Sequence, residues 1–342
     1  TPAVTLATNG TSIVEVQLAR NGYAGPIALK TLGDDGVKIT PDQLPPTAGN
    51  GKFFVTLTHA GAAPGLRTVR LIGESVDLAP SLRVVVTNPA NSRHFVSHQE
   101  LLPVVVSGAS PLKLTSLQPP PTLFRGLPAD IAVAVERTPN APGANLPVLL
   151  RVISNEEPRK QNPADPNPNA AQKPMIAAQP NQTIAASAAT GTLRLNVPVD
   201  VAQPTIQFVA KAEILPHAYS SHVIGQVFSI PFLLPVQNAA AVTLDATKLT
   251  LVGGQANTIV GTVKRTAGFA GAIDITLQGL PAGYTAPKVT VPADKEQFDL
   301  VVTAGPEAAA KDLPNITLRV EASGIGPILA DAPVALKVGP PK

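Results

Sequence analysis

Arg20-Asn-Gly-Tyr23-Ala-Gly25-Pro-Ile27-Ala-Leu29 is answered near the other end of the chain by Arg265-Thr-Ala-Gly-Phe269-Ala-Gly271-Ala-Ile273-Asp-Ile275. The shared kernel is Gly, aromatic, Ala, Gly, any residue, Ile, any residue, aliphatic. A turn set between alternating strands and repeated at domain-sized spacing reads as serial copies of one small β module. The match extends backwards without a gap, Val4–Arg20 against Leu249–Arg265, and a third copy, Pro121–Arg137, fits the same frame. Leu6, Leu123 and Leu251 then share one position, an apolar anchor. Ile13-Val-Glu-Val16-Gln-Leu18, Ile131-Ala-Val133-Ala-Val135 and Ile259-Val-Gly-Thr-Val263 share the next strand.

Downstream, Phe53-Phe-Val55-Thr-Leu57, Leu193-Arg-Leu195-Asn-Val197 and Phe298-Asp-Leu300-Val-Val302 correspond. So do Val69-Arg-Leu71-Ile, Ile206-Gln-Phe208-Val and Ile316-Thr-Leu318-Arg-Val320. These strands, three times in one order, predict an all-β chain of three tandem antiparallel β-sandwiches over 1–108, 109–237 and 238–342. A length of 342 residues with 44% apolar side chains suits three cores of this size. Short joints, at Ser107-Gly-Ala-Ser110 and Gln237-Asn238, predict a semi-rigid rod. The one helical candidate is Pro306-Glu-Ala-Ala-Ala-Lys311.

The middle copy carries a Pro/Asn-rich loop insertion near 155–189, with almost no large apolar residue; it predicts a mobile excursion with little to pack. The first copy is elongated over Asp77–His98.

The recurring arginines Arg20, Arg137 and Arg265 are expected to cap strand ends, stems packed and heads solvated. The aromatics Tyr23 and Phe269 read as plugs over a core edge, with glycines at their sides supplying positive φ.

Chemistry is hard to find. The 37 prolines punctuate strands, charged residues make up 14%, and the net charge of +3 carries no basic run. The electrostatic footprint of a nucleic-acid binder is therefore missing. With no Cys there is neither a disulfide framework nor a thiolate site. The longest apolar stretches, such as Phe228-Ser-Ile-Pro-Phe-Leu-Leu-Pro-Val236, are broken by Pro and fall short of a spanning helix. Asp165-Pro-Asn167-Pro-Asn169 imitates the opening of a calcium loop but continues with Ala170 and Ile176 where Gly and Glu belong. Asp34-Asp35-Gly36 reads as a turn. His94 and His98, with Glu100 nearby, would share a helix face but stand apart on a strand; His217 and His222 would lie on opposite strand faces. Gly73-Glu-Ser75-Val-Asp77 lacks the second Gly of a nucleophile elbow. Asn9-Gly-Thr11, Asn181-Gln-Thr183 and Asn315-Ile-Thr317 are formal glycosylation sequons. No catalytic, cofactor-binding or metal residue is assigned, and no cofactor.

With its Arg-x-x-Gly-aromatic-x-Gly turn and the Gly-Leu-Pro step of Gln278-Gly-Leu-Pro-Ala-Gly283, the chain resembles the immunoglobulin-like repeats of large secreted or cell-surface bacterial proteins. The first copy has Leu32-Gly-Asp-Asp-Gly36 in place of that step. Such repeats often flank peptidases or other catalytic domains. The resemblance implies a non-enzymatic structural spacer or protein-interaction array, extracytoplasmic and linked to further domains of a longer chain. The alternative is a carbohydrate- or surface-binding accessory array of a secreted hydrolase. In that reading Tyr23 is the candidate stacking platform.

Overall fold

Alternating apolar and polar side chains make half-buried strands, and the chain is built of little else. The computed structural model describes residues 4–20, 22–46, 49–61, 63–76, 83–85, 102–167, 169–245, 249–305, 312–324 and 328–339. It is all-β, its sheets paired as sandwiches, with no helix among the described residues. The Pro306–Lys311 candidate, the His94/His98 pair and most of the Asp77–His98 elongation lie outside them.

The first sandwich contains β1 (Val4–Thr8), β2 (Thr11–Leu18), β3 (Ile27–Leu32), β4 (Val37–Thr40), β5 (Gln43–Leu44), β6 (Gly51–His59), β7 (Gly65–Ser75), β8 (Arg83–Val85) and β9 (Leu102–Ala109). One sheet runs β1-β9-β7-β3-β5 with β8 also on β7; the other runs β2-β6-β4.

The second contains β10 (Leu112–Gln118), β11 (Leu123–Phe124), β12 (Ala129–Arg137), β13 (Val148–Ser154), β14 (Ala177–Ala178), β15 (Thr183–Ile184), β16 (Thr190–Asn196), β17 (Thr205–Ile214), β18 (Gly225–Phe228) and β19 (Phe232–Gln237). Its sheets run β11-β19-β17-β13-β15, with β18 on β17, and β10-β12-β16-β14.

The third contains β20 (Ala240–Leu244), β21 (Thr250–Val252), β22 (Ala256–Arg265), β23 (Ile273–Gln278), β24 (Tyr284–Thr285), β25 (Val289–Val291), β26 (Gln297–Ala304), β27 (Leu313–Ala322) and β28 (Ile328–Gly339). The sheets run β21-β28-β27-β23-β25 and β20-β22-β26-β24.

One path therefore recurs, and each copy adds a pair that the antiparallel expectation left out. The first strand of the larger sheet lies parallel to the last, with Leu6 opposite Val106, Leu123 opposite Val236, and Leu251 opposite Val338. The three anchor leucines are fully buried, so the parallel strand closes the core at its edge. In the third sandwich Gly261 has a packing reason: a Cβ there would come 2.2 Å from the Phe298 ring, which lies across its own cross-strand partner.

The chain divides into two compact units. One comprises Thr1–Pro121, Asp130–Leu195 and Thr205–Leu234; the other comprises Thr122–Ala129, Asn196–Pro204 and Pro235–Lys342. In the second unit Phe124 meets Phe269 edge to face at 5.9 Å, and both lean on the third core.

The insertion of the middle copy differs from the unpacked loop expected of it. Arg159–Gln161 and Ala171–Lys173 form a short antiparallel ladder, through Gln161 N–H to the Ala171 carbonyl (2.8 Å) and Lys173 N–H to the Arg159 carbonyl (2.7 Å). Glu156 and Ile176 at its base are buried, and the Glu156 carboxylate accepts the Ile176 N–H at 2.7 Å. The tip stays mostly exposed, as its composition implies. From Ala177 the chain rejoins the common path, in edge strands too short and too small in side chain to show a period.

Candidate functional site

The polar side chains recurring in the sequence act mainly on the chain's own backbone. Guanidinium has five N–H donors in a rigid fork and no acceptor, so it can gather carbonyls that face one another across loops. Arg20 donates to the carbonyls of Gly25 (2.5 Å) and Pro45 (2.7 Å). Arg137 reaches those of Ala144 (2.6 Å), Leu146 (2.8 Å) and Ala185 (3.0 Å). Arg265 reaches Gly271 (3.1 Å), Lys295 (2.6 Å), Val291 (3.1 Å) and Pro292 (2.7 Å). In each sandwich one arginine thus ties the turn after its own strand to a second loop. The expectation of solvated heads is corrected here: the heads are the clamps. Burial pulls the Arg137 guanidinium below the ordinary arginine value.

The clamped turn has its own local requirement. Gly22 (φ 88°), Asn140 (φ 61°) and Gly268 (φ 93°) occupy one left-handed position, which only Gly and, less well, Asn adopt readily. The Thr that follows two of the arginines pins the incoming joint. The Thr138 hydroxyl donates to the Ser110 carbonyl at 2.7 Å and the Thr266 hydroxyl to the Asn238 carbonyl at 2.6 Å.

A second polar group lies on the face that joins the first two sandwiches. Phe54 on β6 points away from its own core, is 3% exposed, and packs with Val209 and Phe228, flanked by Ile13 and Ile153. Beside it Gln207, 2% exposed, uses its amide as a backbone would. Its Oε1 accepts the Phe54 N–H (2.6 Å) and its Nε2 donates to the Phe54 carbonyl (2.9 Å). Asn155 completes the seam: its Nδ2 donates to the Lys52 carbonyl (3.0 Å) and its Oδ1 accepts the Gln207 N–H (2.8 Å). Thr11 also donates to the Phe228 carbonyl. The first two sandwiches therefore meet along a seam as well as at their joint. Two strands, β6 and β17, are buried on both faces.

The residues weighed for chemistry fall elsewhere. The Asp165 and Asn167 side chains accept the N–H groups two residues on, at 2.9 Å each, and Lys160 Nζ binds the Asp165 carbonyl at 2.8 Å. These are Asx turns beside an ammonium, not an oxygen cage. Asp34 caps its turn by accepting the Gly36 N–H at 2.8 Å, as read. It also faces Arg67 at 3.2 Å and His59 at 3.9 Å. His59, buried and passed over in the sequence, could not be told from any strand-end polar residue. Among the described residues no group of three His, Asp or Glu is placed to hold a metal. His217 and His222 lie on the exposed loop between β17 and β18, not on a strand. Tyr23 is half-buried against the first core and its hydroxyl donates to the Pro26 carbonyl at 2.9 Å, as a plug. Asn9 and Asn181 of two sequons sit at left-handed φ of 58° and 61°, so Asn serves the turn there.

The third sandwich holds the charged group with the most directed surroundings. Asp274, on β23, is buried. Burial pushes its pKa up, but hydrogen bonds from Lys288 (2.8 Å), Thr290 (2.6 Å) and Ser323, with the ammonium charge, hold it below the usual carboxylate value. Lys288 is raised in turn by the same pair. A depressed carboxylate stabilises the fold above about pH 3.9, its unfolded value, and that contribution is lost as pH falls through the folded value. The raised lysine contributes below about pH 10.4 and is lost as pH rises through its folded value. Hydrogen exchange of Ile273–Gln278 in the whole chain is therefore expected to be flat between about pH 5 and pH 10 after correction for intrinsic rates, and to accelerate below pH 4. Asp274→Asn should remove part of that acid dependence, and an unchanged profile would count against the pairing.

No protein-family profile matches the sequence, and no curated protein matches it. Among solved structures, E. coli alpha-2-macroglobulin in its native conformation aligns over 98% of this chain and 30% of its own, at 10% identity and a TM-score of 0.27. An ICAM-5 D1–D4 ectodomain fragment aligns over 99% of this chain and 75% of its own, at 12% identity and a TM-score of 0.23.

Proposed function

We propose that the chain is a non-catalytic spacer or protein-interaction array within a larger extracytoplasmic bacterial protein, its modules copies of one ancestral unit. The observation that carries this reading is the seam at Phe54, Gln207 and Asn155. Buried amides that duplicate backbone pairing between two sandwiches stiffen the array, which a spacer needs and a flexible tether does not. The arginine clamps support it, since the recurring charged residue of the module holds loops closed.

A second reading, a carbohydrate- or surface-binding accessory array, is favoured by a different element. The loop from Leu215 to Ile224 carries Tyr219, 97% exposed, beside exposed Val223 and Ile224. An aromatic ring fully in water on a hairpin tip suits stacking far better than Tyr23 does. Applying the purified chain to a glycan array and to bacterial cell-wall preparations separates the two. The spacer binds none above background; binding abolished by Tyr219→Ala would replace it with the accessory reading.

A further inference from the structure

The chain holds a single Asp-Pro peptide bond, Asp165-Pro166, in the tip of the middle copy's insertion. Two general properties make such a bond breakable from within. Its nitrogen belongs to the proline ring, so the amide is tertiary and departs as a secondary amine. The aspartate side chain is short enough for a carboxylate oxygen to close a five-membered ring on its own carbonyl carbon. A nucleophile tethered in this way needs no encounter, which is where most of the advantage of an intramolecular reaction lies.

The fold adds what the dipeptide lacks by itself. Lys160 Nζ donates to the Asp165 carbonyl oxygen at 2.8 Å, and that carbonyl is the one in the Asp165-Pro166 bond. An ammonium held there stabilises the negative charge that grows on the oxygen when its carbon is attacked. The carboxylate is folded forward, because its Oδ1 accepts the Asn167 N–H at 2.9 Å across the same peptide bond. The Asp165 N–H is tied back to the Asn162 carbonyl at 3.1 Å, so the residue is fixed on both sides. The neighbouring Asn162-Pro163 and Asn167-Pro168 bonds share the proline nitrogen but have an amide where Asp165 has its carboxylate.

We propose that Asp165-Pro166 is a self-processing site, cut once per chain by the Asp165 carboxylate with Lys160 as the oxyanion donor. A carboxylate oxygen of Asp165 bonds to the Asp165 carbonyl carbon. The bond from that carbon to the Pro166 nitrogen breaks, its electron pair goes to nitrogen, and the nitrogen takes a proton from solvent. The cyclic aspartyl anhydride left behind is opened by one water to a C-terminal aspartate, so the net change is addition of one water. The cut falls inside a ladder that is tied on both sides, through Gln161 to Ala171 and Lys173 to Arg159. Below it the Glu156 carboxylate holds the Ile176 N–H. The pieces 1–165 and 166–342 therefore stay assembled, and the insertion opens into two free ends, a carboxylate and a secondary amine.

The test incubates the whole 342-residue chain at about pH 5, where an ordinary aspartate is ionised, and follows intact mass. Fragments 1–165 and 166–342 are expected to accumulate about ten-fold or more faster than the same bond breaks in a synthetic peptide of sequence Lys160–Asn169. Asp165→Asn should abolish the cut. Lys160→Ala should slow it to the rate of the peptide, and Lys160→Arg, which keeps a cation, should retain most of it. Hydrogen exchange of β13 and β16 should be the same in all three variants, which separates loss of the donor from loss of the fold. Three results overturn the proposal. The folded chain is cut no faster than the peptide; Asp165→Asn is cut at the native rate, so a contaminating protease is responsible; or Lys160→Ala is cut as fast as the native chain, so the ammonium has no part in it.

Discussion

Arg137→Ala is expected to lower the stability of the second sandwich by about 3 kcal/mol, with the loss concentrated in two loops rather than in the core. The side chain donates to Ala144, Leu146 and Ala185, and each bond has a charged donor. Removing it leaves carbonyls of two loops without their shared donor, and hydrogen bonds to charged groups contribute about 1.5–3 kcal/mol each in net terms. Coupling among them keeps the total below the sum. Arg137→Lys should recover less than half, because one ammonium cannot span carbonyls that a planar fork reaches in two directions. The measurement is a urea midpoint for the chain with peptide-resolved hydrogen exchange. Thr138–Pro147 and Ala185–Ala189 should exchange faster while Ile131–Val135 stays protected. Equal stability of Arg137→Lys and the native chain would show that charge alone, not the fork, is what the position needs.

The same arginines show what the sequence reveals and what it conceals. Their recurrence is plain at 20, 137 and 265, because three turns of one geometry demand one residue. Their role was not legible, because the acceptors are backbone carbonyls supplied by loops of unrelated sequence: Gly25 and Pro45, Ala144 and Ala185, Gly271 and Lys295. A carbonyl carries no side-chain signature. Strands were legible for the opposite reason, since burial on one face writes a period of two into the side chains themselves. The short edge strand β14, Ala177–Ala178, escaped because two alanines cannot express a period.

The seam between the first two sandwiches did leave a signal, in a comparison of equivalent strands. Phe298-Asp299-Leu300 and Leu193-Arg194-Leu195 alternate, with Asp299 and Arg194 exposed. At the same place the first copy has Phe53-Phe54-Val55, apolar without a break. Likewise the third copy has the outward Arg319 where the second has Val209, which is fully buried. A strand that loses its polar face in one copy only has acquired a neighbour there. Which neighbour it is depends on long-range placement, and no local pattern states that.

Phe54→Asp should therefore break the seam without dissolving either core. Phe53, Val55 and Leu57 face inward and keep their contacts, whereas an aspartate at 54 would sit among Val209, Phe228, Ile13 and Ile153. Among the described residues the ammonium that lies over the Phe54 ring is that of Lys52, at 5.2 Å, and it already pairs with Glu15. Leaving a charge so poorly compensated costs several kcal/mol, so the sandwiches separate and let it into water. The expected loss is about 4 kcal/mol, which moves a melting transition of this size by roughly 10 °C. Calorimetry should resolve one shared transition of the two sandwiches into two. Hydrogen exchange should rise together at Lys52–Val55 and Gln207–Val209, on both sides of the seam. Gln207→Ala is the milder partner experiment. It leaves the Phe54 N–H and C=O without their buried partners, at about 1–3 kcal/mol each, and keeps the apolar contact. In a double-mutant cycle with Asn155→Ala the two losses should fall short of additivity, because Asn155 accepts the Gln207 N–H and the pair acts as one network. A single unsplit transition in Phe54→Asp, with β17 still protected, would mean that the two sandwiches hold together without this seam.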